Sequence, residues 1–269
     1  MSSSLSLLFP QASPAQESAE VDGAPHDIKR RLYLVRHGET LGNVQKVVIG
    51  QMDSPLTKLG QRQAIALGQS EMMKKTPFWR RYSSDLPRTQ HTAELIDPTH
   101  KFTLDERLRE IAKGPRQGFP KSFTLDECME SFRDRPEEIP LTESPSDAWK
   151  RVSSFFSTVV KEAIKEEAES LEPSQDPKNV LIVGHSGCLR VMLQQLVPQA
   201  HPLLQASIDP KGPMCDKKRF LIPNASINMI DLTIPKGFNP FDMKDDTDMW
   251  NFIKRDVVEL NWIGHYDNV

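Results

Sequence analysis

Two histidines, two arginines, an asparagine and a glutamate stand where, brought together, they could move a phosphoryl group. Arg36 and His37 sit side by side in LYLVRHGETLGN (Leu32–Asn43), which Asn43 closes; Arg88, Glu110 and His185 follow much later in the 269-residue chain. Phosphoryl transfer spreads negative charge over three oxygens, so its catalysis is mostly positioning and charge stabilisation. Arginine offers a permanently charged donor fork matched to phosphate. An imidazole can attack phosphorus and carry the group covalently. A carboxylic acid can protonate the departing oxygen. A loop opening a helix, as in GHSGCLRVML (Gly184–Leu193), adds backbone N–H donors for an anion.

Taken singly, each residue has an ordinary account. Arg-His-Gly is short enough to arise by chance, and Arg88 reads as a surface helix arginine. Glu110 ends the charged run DERLRE, where Glu106 is a competing carboxylate. His185 could be a satisfied core histidine after a strand. His26, His91, His100, His201 and His265 gain nothing from this logic, and Cys188 reads as a small buried hydrophobe. A zinc site using His37 and His185 is disfavoured, because no further ligands fall at metal spacing.

The elements that must position these residues are legible as apolar periodicity. Leu32–Val35 reads as a buried strand, as do Phe78–Asp85 and the apolar run that opens NVLIVGHSG (Asn179–Gly187). Ser54–Met73 reads as one helix with Thr57 as N-cap and Leu59, Ala64, Leu67 and Met72 on one face. Helices follow from Leu86, over Ser146–Ser170, and from Cys188; Ser226–Leu232 and Asp256–Ile263 alternate as late strands. Alternating strands and helices predict an α/β fold: a three-layer αβα sandwich whose mostly parallel sheet has helices on both faces. In such sheets ligands sit beyond the carboxyl ends of the strands. Arg36-His37, Ser83–Asp85 and Gly184-His185 all follow strands and are expected on one rim.

Composition bounds the rest. The chain is 38% hydrophobic and 26% charged with a net charge of −3. No basic stripe points to nucleic acid, and no run approaches the ~18 apolar residues of a membrane span. Three cysteines (Cys128, Cys188, Cys215) without metal-type spacing read as reduced thiols and predict a cytoplasmic location. Residues 1–27, rich in Ser, Ala and Pro, read as a flexible tail; 28–269 read as one catalytic domain. Glu17, Glu20 and Asp22 argue against an organelle-targeting peptide. Ile234–Asp256 reads as a charged, aromatic-containing surface insertion.

The ordered blocks resemble the histidine phosphatase superfamily, the phosphoglycerate mutase-like proteins. VRHGETLGN, DSPLTKLGQRQA (Asp53–Ala64), SSDLPRTQHTAE (Ser83–Glu94), LREIAKGPRQG (Leu108–Gly118), ESPSDAWKRV (Glu143–Val152), VLIVGHSGCLRVML and NASINMIDL (Asn224–Leu232) carry the likeness over roughly Arg31 to Leu232. It implies that His37 is the nucleophile and becomes phosphohistidine. Arg36 and Arg88 would clamp the phosphoryl oxygens, Asn43 would help position them, and His185 would stabilise the transition state. Glu110, chosen over Glu106 by its spacing from Leu108 and Gly114, would be the general acid. No metal or cofactor is implied.

Departures from the family's pattern refine the expectation. In the mutases a long Pro-rich segment covers the site; here the stretch from Glu110 to Glu143 is short. A shorter cover admits water, which favours a phosphatase acting on small phosphate esters such as sugar phosphates or bisphosphates. The alternatives are a phosphoglycerate mutase-type phosphotransferase and a non-catalytic phosphate-binding scaffold. Lys113 stands where many relatives carry an aromatic, and no glycine precedes Glu143. Lys113, Arg116 and Lys121 are either a solvated loop or a second anion site. The sequence says nothing of oligomeric state.

Overall fold

The alternation of one strand sets the architecture. In β1 (Ile28–Arg36), Leu32 and Leu34 enter one apolar cluster, while Tyr33 and Val35 enter another on the opposite face. A strand buried on both faces needs cover on both. The computed structural model describes residues 23–170, 176–197 and 222–269. In chain order there follow α1 (Leu41–Val44), α2 (Lys58–Gln69), α3 (Glu71–Lys75), β2 (Phe78–Ser83), α4 (Pro87–Ile96) and β3 (Thr103–Leu104). Then come α5 (Leu125–Glu130), α6 (Pro145–Glu169), β4 (Lys178–Gly184), α7 (Ser186–Leu196), β5 (Ile227–Ile234) and β6 (Lys254–Trp262).

Among the described residues the strands form one sheet in the order β3-β2-β4-β1-β5-β6. β3, β2, β4 and β1 pair in parallel, whereas β5 runs antiparallel to both β1 and β6. The sheet is therefore mixed, with β5 the one strand of opposed direction. α6 and α7 cover the face of Leu32, Leu34, Val180 and Ile182; α2 and α4 cover the face of Tyr33, Val35, Leu181 and Val183. This is the expected αβα sandwich. Phe155 and Phe156 of α6 are fully buried against it, and truncating either to Ala should cost about 3–5 kcal/mol.

Three boundaries differ from the sequence expectation. Ser54–Met73 is not one helix: Thr57 does cap α2, its hydroxyl accepting from the Gly60 N–H, but the chain breaks at Ser70, which caps α3. The break resets the helical phase, so Met73 rather than Met72 is buried. The supposed surface insertion after Ile234 supplies core: Phe238, Met249, Trp250 and Ile253 are buried, and the Trp250 indole N–H donates to Ser153 Oγ at 3.2 Å. Aromatic residues among charges hid that face from a periodicity reading. Finally, residues 23–27 are not tail, because Ala24 is buried and exchanges backbone hydrogen bonds with Gly237 and Phe238. Residues 1–22, His201 and Cys215 lie outside the described residues.

Candidate active site

The carboxyl ends of β1, β4 and β2 meet side by side. The His37 N–H donates to the Gly184 carbonyl at 3.0 Å, and the Ser84 N–H to the Val183 carbonyl at 3.0 Å. Arg36-His37, Ser84 and His185 thus share one rim, as the topology rule requires. The next turn is held by two glycines in contact. A Cβ on Gly60 would fall 2.0 Å from the Glu39 carbonyl oxygen, so only glycine lets the Arg-His-Gly loop lie on the first turn of α2.

His37 is buried, and its ring orientation is fixed. Nδ1 lies 2.7 Å from the Gly38 carbonyl oxygen, which can only accept, so Nδ1 carries the hydrogen and Nε2 the lone pair. Burial first, then the charges of Arg36 and Arg88, hold this imidazole well below its ordinary pKa, so it is neutral. A neutral imidazole with a bare Nε2 is the form that can attack. The His185 ring lies 5.4 Å from it, centroid to centroid. His185 is also pushed well down, by burial first and by Arg88 next. Its Nε2 lies 2.9 Å from Ser84 Oγ, which already accepts from the Leu86 N–H. The Nδ1 of His185 is buried with no partner among the described residues, and where the serine proton goes to Nε2 it carries a hydrogen for a bound anion.

The two arginines are held by carbonyls rather than by acids. Arg88 is 1% exposed; its Nη1 and Nη2 donate to the Met52 and Gly50 carbonyls, both at 2.7 Å. Arg36 Nη1 donates to the Ile222 carbonyl at 2.6 Å. Burial lowers both, Arg88 to about 10, which leaves it charged at neutral pH. The Nε–H of each is buried without a partner. Orphaned charged donors are costly unless an anion answers them. Asn43 sits in α1, where its Oδ1 accepts from the Thr40 N–H at 3.2 Å in a capping box.

Glu110 reaches the same cavity from a loop clamped on several sides. Its carbonyl accepts from Gln51 Nε2 at 2.9 Å, and neighbouring Arg109 makes a two-pronged pair with Asp85. Arg151 joins Glu143 to the Arg107 carbonyl and so braces the loop from α6. The carboxylate lands on the first turn of α7: Oε2 accepts from the Gly187 N–H and Oε1 from the Cys188 N–H, both at 2.9 Å. The N–H donors expected to serve phosphate are therefore occupied by Glu110. Gly187 is required there, since a Cβ would fall 2.3 Å from Glu110 Oε1.

Arg36, His37, Asn43, Arg88 and Glu110 line one cavity of about 500 Å³, and His185 lies behind it against His37. Lys113, Arg116 and Lys121 line it too, as does Arg190. Glu110 is the only carboxylate among the described lining residues. A larger hollow of about 770 Å³ opens at the other end of the sheet; Lys74, Lys75, Arg81 and Asp97 line it, and Arg81 pairs with Asp97. Cys188 is buried, and burial pushes its thiol up to about 12. Among the described residues no cluster of three or more His, Cys, Asp or Glu side chains could hold a metal, and no helix is long and apolar enough to cross a membrane. Sequence reasoning put Ser84 on the rim without a role and gave none to Arg190 or Asn224. Arg190 had a signal, a helix turn beyond His185; Asn224 had only its place at the head of the late-strand block.

The family model of the histidine phosphatase superfamily (branch 1) matches residues 32–209, and the chain belongs to that family. A stretch of 100 residues is 44% identical to a protein of Yersinia pestis named "Probable phosphoglycerate mutase GpmB". That stretch is 36% of this chain, and the chain spans less than half, 46%, of that relative. The fold matches a structure described as mycobacterial hydrolase 1 at a TM-score of 0.61 and 23% identity, over 87% of this chain and 99% of that one. It also matches a phosphoglycerate mutase from Bacillus anthracis at a TM-score of 0.57 and 20% identity, over 91% and 96% of the two chains. A mycobacterial glucosyl-3-phosphoglycerate phosphatase matches at 0.57 and 23% identity, over 86% and 98%.

Proposed function

We propose that this protein is a metal-independent phosphomonoester hydrolase that works through a phosphohistidine. The observation that carries the reading is the fixed His37 tautomer, which leaves Nε2 bare in a cavity where Arg36 and Arg88 are held by carbonyls and each keeps an unpartnered Nε–H. In the first step His37 Nε2 forms a bond to phosphorus as the ester P–O bond breaks, and Glu110 in its acid form gives the departing alkoxide a proton. In the second, Glu110 takes a proton from water, whose oxygen attacks phosphorus, and the P–N bond breaks to release phosphate and free His37. Arg36, Arg88, Asn43 and His185 Nδ1–H hold the three non-bridging oxygens throughout.

The substrate reading follows from charge. One phosphoryl group engages Arg36 and Arg88; Lys113, Arg116, Lys121 and Arg190 are additional cations on the same wall. We infer a small ester with a second anionic group, such as a bisphosphate or a phosphorylated acid. The match to the probable phosphoglycerate mutase favours a mutase as the second reading.

The test is phosphate release without added metal from p-nitrophenyl phosphate, sugar bisphosphates, 2,3-bisphosphoglycerate and 3-phosphoglycerate, by wild type and His37→Ala. Release by wild type alone supports the hydrolase, whereas interconversion of 3- and 2-phosphoglycerate without release makes the mutase correct. EDTA-sensitive turnover restored by Mg²⁺ overturns the mechanism. Lys113→Ala should raise KM for the doubly anionic substrates more than for p-nitrophenyl phosphate; an equal effect removes the second-anion reading.

A further inference from the structure

The last residues of the chain reach back to the candidate site. β6 ends at Trp262, which pairs with Ile227 at the mouth of β5. The chain then turns over the Trp262 ring, where a Cβ on Gly264 would approach to 2.8 Å. His265 fills the space, 1% exposed, tilted against Trp262 at 5.4 Å and edge-to-face with Tyr266 at 4.8 Å between ring centroids. A final 3₁₀ turn, Tyr266–Asn268, packs against α2. The Tyr266 hydroxyl donates to the Asn224 carbonyl oxygen.

Asn224 is the hinge of this arrangement. Its Nδ2 donates to the His37 carbonyl at 3.0 Å and to Asn43 Oδ1 at 3.2 Å. Ala225, at φ 52° in the left-handed region, turns its N–H toward the Arg36 carbonyl at 3.0 Å and the His37 carbonyl at 3.3 Å. Asn43 Oδ1 thus has two donors, Thr40 N–H and Asn224 Nδ2. An amide whose oxygen is held twice can offer only its Nδ2 hydrogens to the cavity. That is the orientation an anion needs, and the flipped amide would present an oxygen to phosphate instead.

We infer that Tyr266 is a positioning residue of the phosphoryl site, acting through Asn224 to hold Asn43 with its donor toward the anion. This rests on the reading of the cavity as a phosphoryl site. Tyr266 lies beyond both residue 209, where the family match ends, and the late-strand block that opens on Asn224, so the hydroxyl end of the strut comes from the last residues of this chain. Burial raises the Tyr266 phenol, so it keeps the proton it donates at neutral pH.

The test uses the full chain with inorganic phosphate as the probe, and Tyr266→Phe, which removes the hydroxyl and keeps the ring contact. Phosphate affinity by calorimetry, and kcat/KM for p-nitrophenyl phosphate, should each fall about threefold to tenfold, the value of one ordinary hydrogen bond. The Tm should hold. In an Asn43→Ala background the same change should cost less than twofold, because the group it orients is gone. Asn224→Ala, as a second variant, should reproduce the loss and its dependence on Asn43. An unchanged phosphate affinity, or an equal loss with and without Asn43, overturns the strut. If wild type binds phosphate but releases none from any ester, the hydrolase reading fails while the affinity arm still judges Tyr266.

Discussion

Replacing Gly187 with alanine should separate stability from catalysis at this site. The new Cβ would lie 2.3 Å from Glu110 Oε1, 3.0 Å from its Cδ and 3.2 Å from Oε2. Ordinary contact needs about 3.5 Å, so the carboxylate must retreat by about 1 Å. What yields is the far end of a side chain, not backbone. The fold should therefore lose little, about 1 kcal/mol for weakened bonds from Gly187 N–H and Cys188 N–H. Catalysis should lose much more, since about 1 Å of misplacement costs about 10²-fold. In the first step, which kcat/KM reports, the loss belongs to the acid and should depend on the leaving group. An alkyl phosphate should lose about 10²-fold in kcat/KM, the low end of what general acid catalysis is worth. p-Nitrophenyl phosphate, whose phenolate leaves without a proton, should lose only a few-fold. Steady-state kinetics on both substrates, with thermal melts, decide it. An equal loss on both, or a large fall in Tm with no leaving-group dependence, refutes the placement of Glu110 as the acid. Gly60→Ala is the control, because its Cβ meets backbone at the Glu39 carbonyl and should lower Tm instead.

Other outcomes follow from the same geometry. Arg88→Met removes a clamp and should cut kcat about 10²–10³-fold, by analogy with one preorganised transition-state donor. Its stability without phosphate should stay within about 2 kcal/mol, because a buried charge is removed along with its desolvation cost; a kcat change under twofold contradicts the clamp. Ser84→Ala frees the His185 tautomer and should lower kcat about tenfold with KM little changed, checked by the same kinetics. Burial lowers His265 to about 4 from an ordinary 6.5, so between those values only the unfolded chain binds the proton. Stability should fall by about 3 kcal/mol as pH drops through that window, and urea melts should show His265→Phe flattening the decline; an unchanged slope refutes the assignment.

What was legible in the sequence was whatever is written within a few residues. β1, β2 and β4 were apolar runs ended by glycine or polar residues, and the rule for strand ends put Arg36, Ser84 and His185 on one rim. Thr57 was readable because a cap and its helix are adjacent, and α6 through its apolar periodicity, although its cap, Ser144, was not named. The break at Ser70 was not, since serine inside a helical pattern is tolerated as often as it caps. Trp250 was hidden because its partner Ser153 lies far back in the chain. The same holds within the site. His37 and Glu110 could be placed, but the N–H donors of Gly187 and Cys188 were assigned to phosphate. Only the fold shows a carboxylate from residue 110 already seated on them.

That seating changes how the charges of the site divide their labour. A phosphate dianion and a carboxylate within one cavity repel each other unless each has its own donors. Here Glu110 is matched to the first turn of α7, while the Nε–H groups of Arg36 and Arg88 and the Nδ1 of His185 have no partner among the described residues. The phosphoryl group and the Glu110 carboxylate left after proton transfer thus have separate donor sets. The histidines, both neutral through burial, add no charge to confuse the assignment. A neutral His37 is a better nucleophile, and a neutral His185 still donates one hydrogen. The positive charge that stabilises transfer comes from arginines that cannot lose it at neutral pH. The nucleophile's reactivity and the field around it therefore reside on different residues, which lets each be buried to its own degree.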